Sequence, residues 1–254
     1  MKNYLFCLFL LSLAFTACKK GPVNGGSTPK LFTATQYSYL GTYNNQGRPD
    51  YLVAQDLISP ALLEFVKLKL PETSNINKSH PELLKNADLA ITTKSDVFIT
   101  FVNEGTAYKN AVGYYLYRTG SSPTKPADIE KIVYMFPHAS KVGSGGSSGG
   151  ALKPGDKIKI GSVAIEAGTS IGFVLIAKGW DEAGQTVNNK ATHYCSNKAL
   201  NPENLDEFKA HTVLFDYPLE NKVMIGFEDI NRTLPICDND FNDVVMYATV
   251  VPVN

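Results

Sequence analysis

The chain is expected to be all-β: an antiparallel β-sandwich of jelly-roll-like type with a small helical N-terminal portion. Three observations carry this. From about residue 96 onward, short runs rich in β-branched and aromatic residues recur at 97–102, 112–117, 129–136, 157–160, 171–177, 212–215, 223–227 and 244–251. Clusters of Gly, Pro, Asn and Ser separate the runs, Lys153-Pro154-Gly155-Asp156 being one such turn. No long helical stretch lies between them, which argues against a parallel α/β sheet.

Taken in chain order, the first residues set the compartment. Lys2 gives a positive start, the run from 4 to 15 is apolar, and Phe15-Thr16-Ala17-Cys18 closes it with small residues before a cysteine. The run is too short for a spanning helix and reads as a secretory signal with a lipobox-like end. Residues 1–17 are then the lipoprotein signal peptide, and Cys18 is the lipidation site. Acyl chains contribute ~0.8 kcal/mol per buried CH₂, so several chains on Cys18 would hold the protein to a lipid bilayer. Lys19, rather than Asp, follows the cysteine, which in a Gram-negative cell points to the bacterial outer membrane, with a periplasmic or surface-facing orientation left open. An ordinary signal peptide with an incidental Cys18 is the alternative.

Residues 18–35, with Gly21, Pro22, Gly25, Gly26 and Pro29, read as a flexible tether. Residues 36–90 read as a mixed N-terminal segment with short helices. Ser59 is a helix cap with Pro60 in the first turn, Pro71 ends that helix, and a second short turn follows Ser79-His80-Pro81. Residues 91–254 form the β-sandwich domain. Within the 223–227 strand, Val223, Ile225 and Phe227 share one face and Met224 and Gly226 the other.

Lys and Arg total 24, as do Asp and Glu, so the chain carries no net charge and no basic face for nucleic acid is indicated. Besides Cys7 and Cys18 the cysteines are Cys195 and Cys237. An oxidising envelope permits a disulfide between them, with two separate buried thiols as the alternative. So few cysteines make a zinc site a poor reading.

Asp238-Asn239-Asp240-Phe241-Asn242-Asp243 is the richest chemical feature. It sets three carboxylates and an amide oxygen in six residues, uninterrupted by Lys or Arg. Close ionised carboxylates repel by roughly 1 kcal/mol per pair in water at ~4 Å, and by more when partly buried. A hard cation in their midst relieves this, and oxygen-only ligands suit Ca²⁺. Asp238, Asp240 and Asn242 alternate as in calcium loops, Phe241 is placed to anchor inward, and Asp243 opens the last strand. Glu228 and Asp229, at the other end of the loop, are placed to close the shell. The Gly and terminal Glu of an EF-hand are missing, and a solvated acidic turn is the bland reading.

Gly226-Phe227-Glu228-Asp229, followed by Asp238-Asn239-Asp240-Phe241-Asn242-Asp243-Val244-Val245, resembles the C-terminal signature of the domain-of-unknown-function 4114 family, close to LruC-type bacterial envelope proteins. The resemblance extends through Phe101-Val102-Asn103-Glu104-Gly105, the Tyr108 to Tyr115 stretch, Ile171-Gly172-Phe173-Val174-Leu175, Leu200-Asn201-Pro202-Glu203 and His211-Thr212, spanning most of 90–252. It implies a β-rich extracytoplasmic module that binds calcium and has no assigned activity.

Other motifs are weaker. Gly145-Gly146-Ser147-Ser148-Gly149 matches a nucleophile elbow only formally, since strand and helix do not flank it. His80, His138, His193 and His211 are scattered, and His211 reads as a structural hydrogen-bonder. Glu104 and Asn110 offer further oxygens or a polar turn. Glu228 and Asp229, adjacent on one strand, are poorly placed as a glycosidase pair. Tyr114, Tyr115, Tyr117 and Trp180, the last expected in a loop, are core residues or a glycan platform. The functional expectation is a non-enzymatic, calcium-braced binding or structural module of the cell envelope with a glycan or protein ligand. A carbohydrate-binding or glycan-cleaving envelope protein is the alternative.

Overall fold

Each of the eight expected strands is present, displaced at its ends by two residues at most. The computed structural model describes residues 27–28, 30–85, 88–143 and 150–253. The signal peptide, Cys18, most of the tether and the Gly145–Gly149 run lie outside these residues.

In chain order the elements are β1 (Gln36–Tyr39), α1 (Pro60–Lys69), α2 (Ile76–Ser79), β2 (Leu89–Ile91), β3 (Ser95–Glu104), β4 (Ala111–Arg118) and β5 (Lys131–Phe136). There follow β6 (Lys157–Lys159), β7 (Thr169–Ile176), β8 (Trp180–Asp181), β9 (Thr186–Val187) and β10 (His193–Cys195). The last three are β11 (Thr212–Tyr217), β12 (Lys222–Phe227) and β13 (Val244–Pro252).

Two sheets make the sandwich. One runs β1-β5-β4-β7-β10, with β2 also on β7, and the other runs β11-β12-β13-β3-β6. β2 pairs with the start of β7 and β10 with its end, so both share one edge of that strand. β3 and β13, the first and last long strands, lie side by side, an adjacency that a jelly roll also has. Among the strand pairs of the described residues only β1–β5 is parallel, an exception to the antiparallel expectation. β1 and β2 also bring residues of the 36–90 segment into the first sheet.

Side-chain alternation divides the apolar residues into three layers. Val97, Ile99 and Phe101 of β3 meet Val112 and Tyr114 of β4 and Ile171, Phe173 and Leu175 of β7 in the central core, together with Ile225, Phe227, Val244 and Met246. The opposite face of the second sheet, with Val213, Met224, Val245 and Tyr247, is covered by Leu62, Val66 and Leu70 of the α1 region and Ile76 of α2. Ser59 caps α1, its Oγ accepting from the Leu62 amide at 3.1 Å, a contact worth about 1 kcal/mol. Gly226 is required where this layer is tightest. A Cβ there would sit 2.5 Å from the Phe241 carbonyl oxygen and 2.7 Å from Leu70 Cδ1.

The third layer covers the outer face of the first sheet. Trp180 belongs here: it lies on β8 rather than in a loop, is buried, and stacks on His138 at 5.5 Å. Packing on His138 and Tyr43 leaves the indole no open face, which excludes it as a glycan platform. Tyr115 and Tyr117 face the same layer, and Tyr114 faces the central core.

Cys195 and Cys237 are free thiols, both buried. The disulfide is not formed: Cys195 packs inside the third layer, and Cys237 sits in the β12–β13 loop beside Glu228. Burial raises both thiol pKa values, which keeps them protonated and inert.

His193 in the same layer carries an expected pH dependence. Its Nδ1–H donates to the Ala191 carbonyl (2.9 Å), Nε2 accepts from the Tyr37 hydroxyl (2.9 Å), and Phe32 stacks on the ring. Burial lowers its pKa to about 4, against the backbone bond, which acts the other way. The unfolded chain therefore takes up a proton near pH 6.5 that the native ring refuses. Stability conferred by the neutral ring is full above that pH and is lost as pH falls towards 4, by about 3 kcal/mol. Melting temperatures from pH 7 to 4 should fall more steeply in the native chain than in His193→Gln; parallel curves would contradict this assignment.

Candidate functional site

The β12–β13 loop, 228–243, is closed at its base by the pairing of Phe227 with Val244. That register sets Glu228 and Asp243 side by side, with the Asp243 amide donating to the Phe227 carbonyl at 3.1 Å. Asp229 joins them, its amide donating to Asp243 Oδ2 at 2.7 Å. One carboxylate oxygen from each of Glu228, Asp229 and Asp243 then lies within 4.8 Å of the other two.

This trio sits where the two sheets meet at one end of the sandwich. Asn110, just before β4, donates from Nδ2 to Asp229 Oδ2 at 2.6 Å and accepts the Lys178 amide on its Oδ1 at 2.9 Å. Gly105, just after β3, approaches the loop so closely that a Cβ would lie 2.5 Å from Asn242 Oδ1. The β-bulge that places Val102 outside the β3–β13 register lies directly beside this point.

Glu228 and Asp229 are 1% and 2% exposed. Glu228 Oε2 and Asp229 Oδ1 are both buried and accept no hydrogen bond among the described residues. Burial, then the charges of Asp229 and Glu228, push the Asp243 carboxyl well above the ordinary range. Burial likewise raises Glu228 and Asp229. Orphaned anionic oxygens of this kind are among the costliest groups to keep inside a protein. A hard cation satisfies them, and an all-oxygen donor set of carboxylates with a neighbouring amide fits Ca²⁺.

The six residues expected to share one ion do not surround one point. Asp238 and Asp240 group instead with Glu72, which follows the end of α1, within 4.8 Å of one another. Asn242 lies on that side, its Nδ2 3.2 Å from Glu72 Oε2. Left-handed backbone at Asn239 (φ 62°) and Phe241 (φ 58°) is the physical reason, because it turns successive side chains away from simple alternation. Asp240 is occupied structurally: its oxygens accept the amides of Thr73 (2.9 Å) and Asn242 (3.1 Å). Glu72 and Asp238 are exposed, so this outer group has ordinary access to water.

Phe241 is fully buried in the helix-covered layer, with the Arg232 guanidinium 5.0 Å from its ring centroid. Arg232 also donates to Asn239 Oδ1 (2.7 Å), Asn77 Oδ1 (2.7 Å) and the Ala210 carbonyl (2.8 Å). The Ile76 amide reaches the Asn239 carbonyl at 3.0 Å. The acidic loop is thus tied to α2 on one side and to the trio on the other.

Sequence reading missed two further features here, the place of Glu72 and the pairing of His211 with Glu203. Glu72 carries no local signal, since only the fold brings it to Asp238. Glu203 and His211 are both buried, with His211 Nε2 3.1 Å from Glu203 Oε1 and Nδ1–H donating to the Glu228 carbonyl at 2.9 Å. His211 is thereby a structural hydrogen-bonder that fixes the Glu228 backbone.

A β-sandwich with a largely buried carboxylate trio at the mouth of one hairpin is the class these features define. Residues 165–250 match the family described as Domain of unknown function (DUF4114). The matched segment, which is similar to that family, runs from just before β7 into β13 and contains all six loop residues. β3 and β4, which precede it in the chain, complete its sheets by pairing with β13 and β7. No curated protein and no solved structure matches the chain.

Proposed function

We propose that the chain is a non-enzymatic, calcium-braced binding or structural module of the bacterial envelope, held to the outer membrane by lipid on Cys18. The observation that supports calcium is the cluster of buried Glu228 and Asp229 with half-buried Asp243, in which two oxygens of the buried pair accept no hydrogen bond among the described residues. Bound there, the ion supplies positive charge that lets three adjacent carboxylates ionise together. Glu228 and Asp243 hold the two ends of the loop, Asp229 adds the third oxygen donor, and Asn110 orients Asp229. The role is bracing: the trio is clustered and enclosed rather than spread across a cleft as a pair of catalytic carboxylates would be. The membrane anchor rests on the sequence of residues 1–18. No helix among the described residues is long and apolar enough to cross a bilayer.

Calorimetric titration of the full chain tests the reading. Calcium should bind with Kd of about 10⁻⁴–10⁻³ M, the range of extracellular modules, and magnesium, which resists dehydration, should bind much more weakly. Glu228→Ala should abolish the calcium heat. Absence of calcium binding in the native chain would overturn the proposal.

A further inference from the structure

The inner face of the first sheet is not fully covered by the second. Ser38 of β1, Val133 of β5 and Tyr114 of β4 are aligned across three strands by register, Val133 pairing with both of the others. Lys131 and Leu116, two residues along their strands, continue the same face. β6 is the edge of the opposing sheet, and beyond it only the bridge between Val53 and Lys157 extends the pairing. The row is left open as a cleft of about 430 Å³, with Lys159 and Ser162 on its far wall. A second hollow of about 380 Å³ shares Tyr114, Lys131 and Val133 with it and reaches Leu116, which is 49% exposed. The two adjoin along Tyr114, Lys131 and Val133, and together they are taken as one groove.

Its chemistry is specific. The floor is mixed: Val133 and Leu116 are apolar, and Ser38, Tyr114 and Lys131 bring polar atoms to the same row. Tyr114 is only 5% exposed, yet its hydroxyl makes no hydrogen bond among the described residues, although burial alone raises its pKa. Lys131 is exposed and forms no ion pair among the described residues. Lys159 is neutralised by Asp96 at 2.8 Å. Glu130 stands at the end of the second hollow. One free cation near the middle and one anion at the end disfavour a densely charged polyanion. They suit a chain whose negative charges are spaced apart.

We propose that this groove binds an acidic oligosaccharide in which uronic acid units alternate with neutral sugars. The CH face of a ring lies on Val133 and Leu116, Tyr114 and the serines bond its hydroxyls, and Lys131 pairs with one carboxylate. None of Glu228, Asp229 and Asp243 lines the groove, so the site stands independently of the calcium reading.

The test is calorimetric titration of the full chain, in calcium buffer, with a panel of alternating glucuronate- and galacturonate-containing oligosaccharides and their carboxyl-reduced forms. An acidic member should bind. Its Kd should rise about tenfold in Lys131→Ala, the scale of one lost charge-assisted contact, and several-fold in Tyr114→Phe, which keeps the ring. Asp243→Asn should bind it as the native chain does. No binding by any member at millimolar concentration would overturn the proposal. So would equal binding of the carboxyl-reduced forms, or affinity unchanged in both Lys131→Ala and Tyr114→Phe.

Discussion

Phe241→Ala is expected to destabilise the protein by about 3–5 kcal/mol, the usual cost of removing a fully buried phenylalanine. The ring fills the layer between the second sheet and the helices and lies under Arg232. A compensating release of backbone strain is not expected, because alanine at φ 58° keeps the Cβ that makes this conformation unfavourable. The same substitution frees Asn242 and Asp243 from their anchor, so calcium affinity should fall together with stability. Urea unfolding of the two proteins, with equal slopes and separated midpoints, would measure the loss. A change below about 1 kcal/mol would mean that the acidic loop is not integrated with the core.

The second large effect changes sign with the solution. In chelator, Asp243→Asn should melt no lower than the native chain and is expected to melt higher. It replaces a carboxyl whose ionisation burial and its two acidic neighbours oppose with a neutral amide, whose oxygen still accepts the Asp229 amide. In calcium the order should reverse. At a hundredfold excess over Kd the native chain gains about 2.7 kcal/mol by linkage. That is roughly 5–10 °C in Tm for a domain of this size, and the variant should gain almost none of it. Melting curves for both proteins in calcium and in chelator give the four values needed. A variant less stable than the native chain by the same amount in both solutions would show that Asp243 acts only as a backbone hydrogen-bond acceptor.

The parts of this architecture legible in the sequence are those held by local rules. The strand at 223–227 alternates its apolar residues cleanly, and the faces assigned to Ile225 and Met224 are those found in the two layers. Ser59 and Pro60 announce α1 because cap and first-turn preferences act within four residues. β1, with sequence Gln-Tyr-Ser-Tyr, is too short and polar to announce itself and is made by pairing with the distant β5, while the two-residue β8 and β9 exist only by pairing with each other across a short turn. The second short turn expected after Ser79-His80-Pro81 is present as a 3-10 helix at Pro81–Lys85, whereas α2, capped by Asn75 Oδ1 accepting the Asn77 amide at 3.0 Å, precedes it unannounced.

The site divides in the same way. Clustering of carboxylates at the two loop ends is visible in the chain, because a hairpin must bring Glu228 to Asp243. The separation of Asp238 and Asp240 from that pair is not, since it depends on two left-handed residues and on Glu72 arriving from α1. Asn239 is a common occupant of left-handed backbone, but Phe241 is not, and only the buried pocket for its ring accounts for it. The free thiols follow from layers that no spacing between Cys195 and Cys237 encodes.

Diffraction from crystals of the full chain grown in calcium, recorded at a long wavelength where calcium scatters anomalously, addresses the central claim most directly. A peak with carboxylate oxygens of Glu228, Asp229 and Asp243 at about 2.3–2.6 Å is the predicted result. A map with no peak there, and with the three side chains turned apart towards separate protein or water partners, would contradict it.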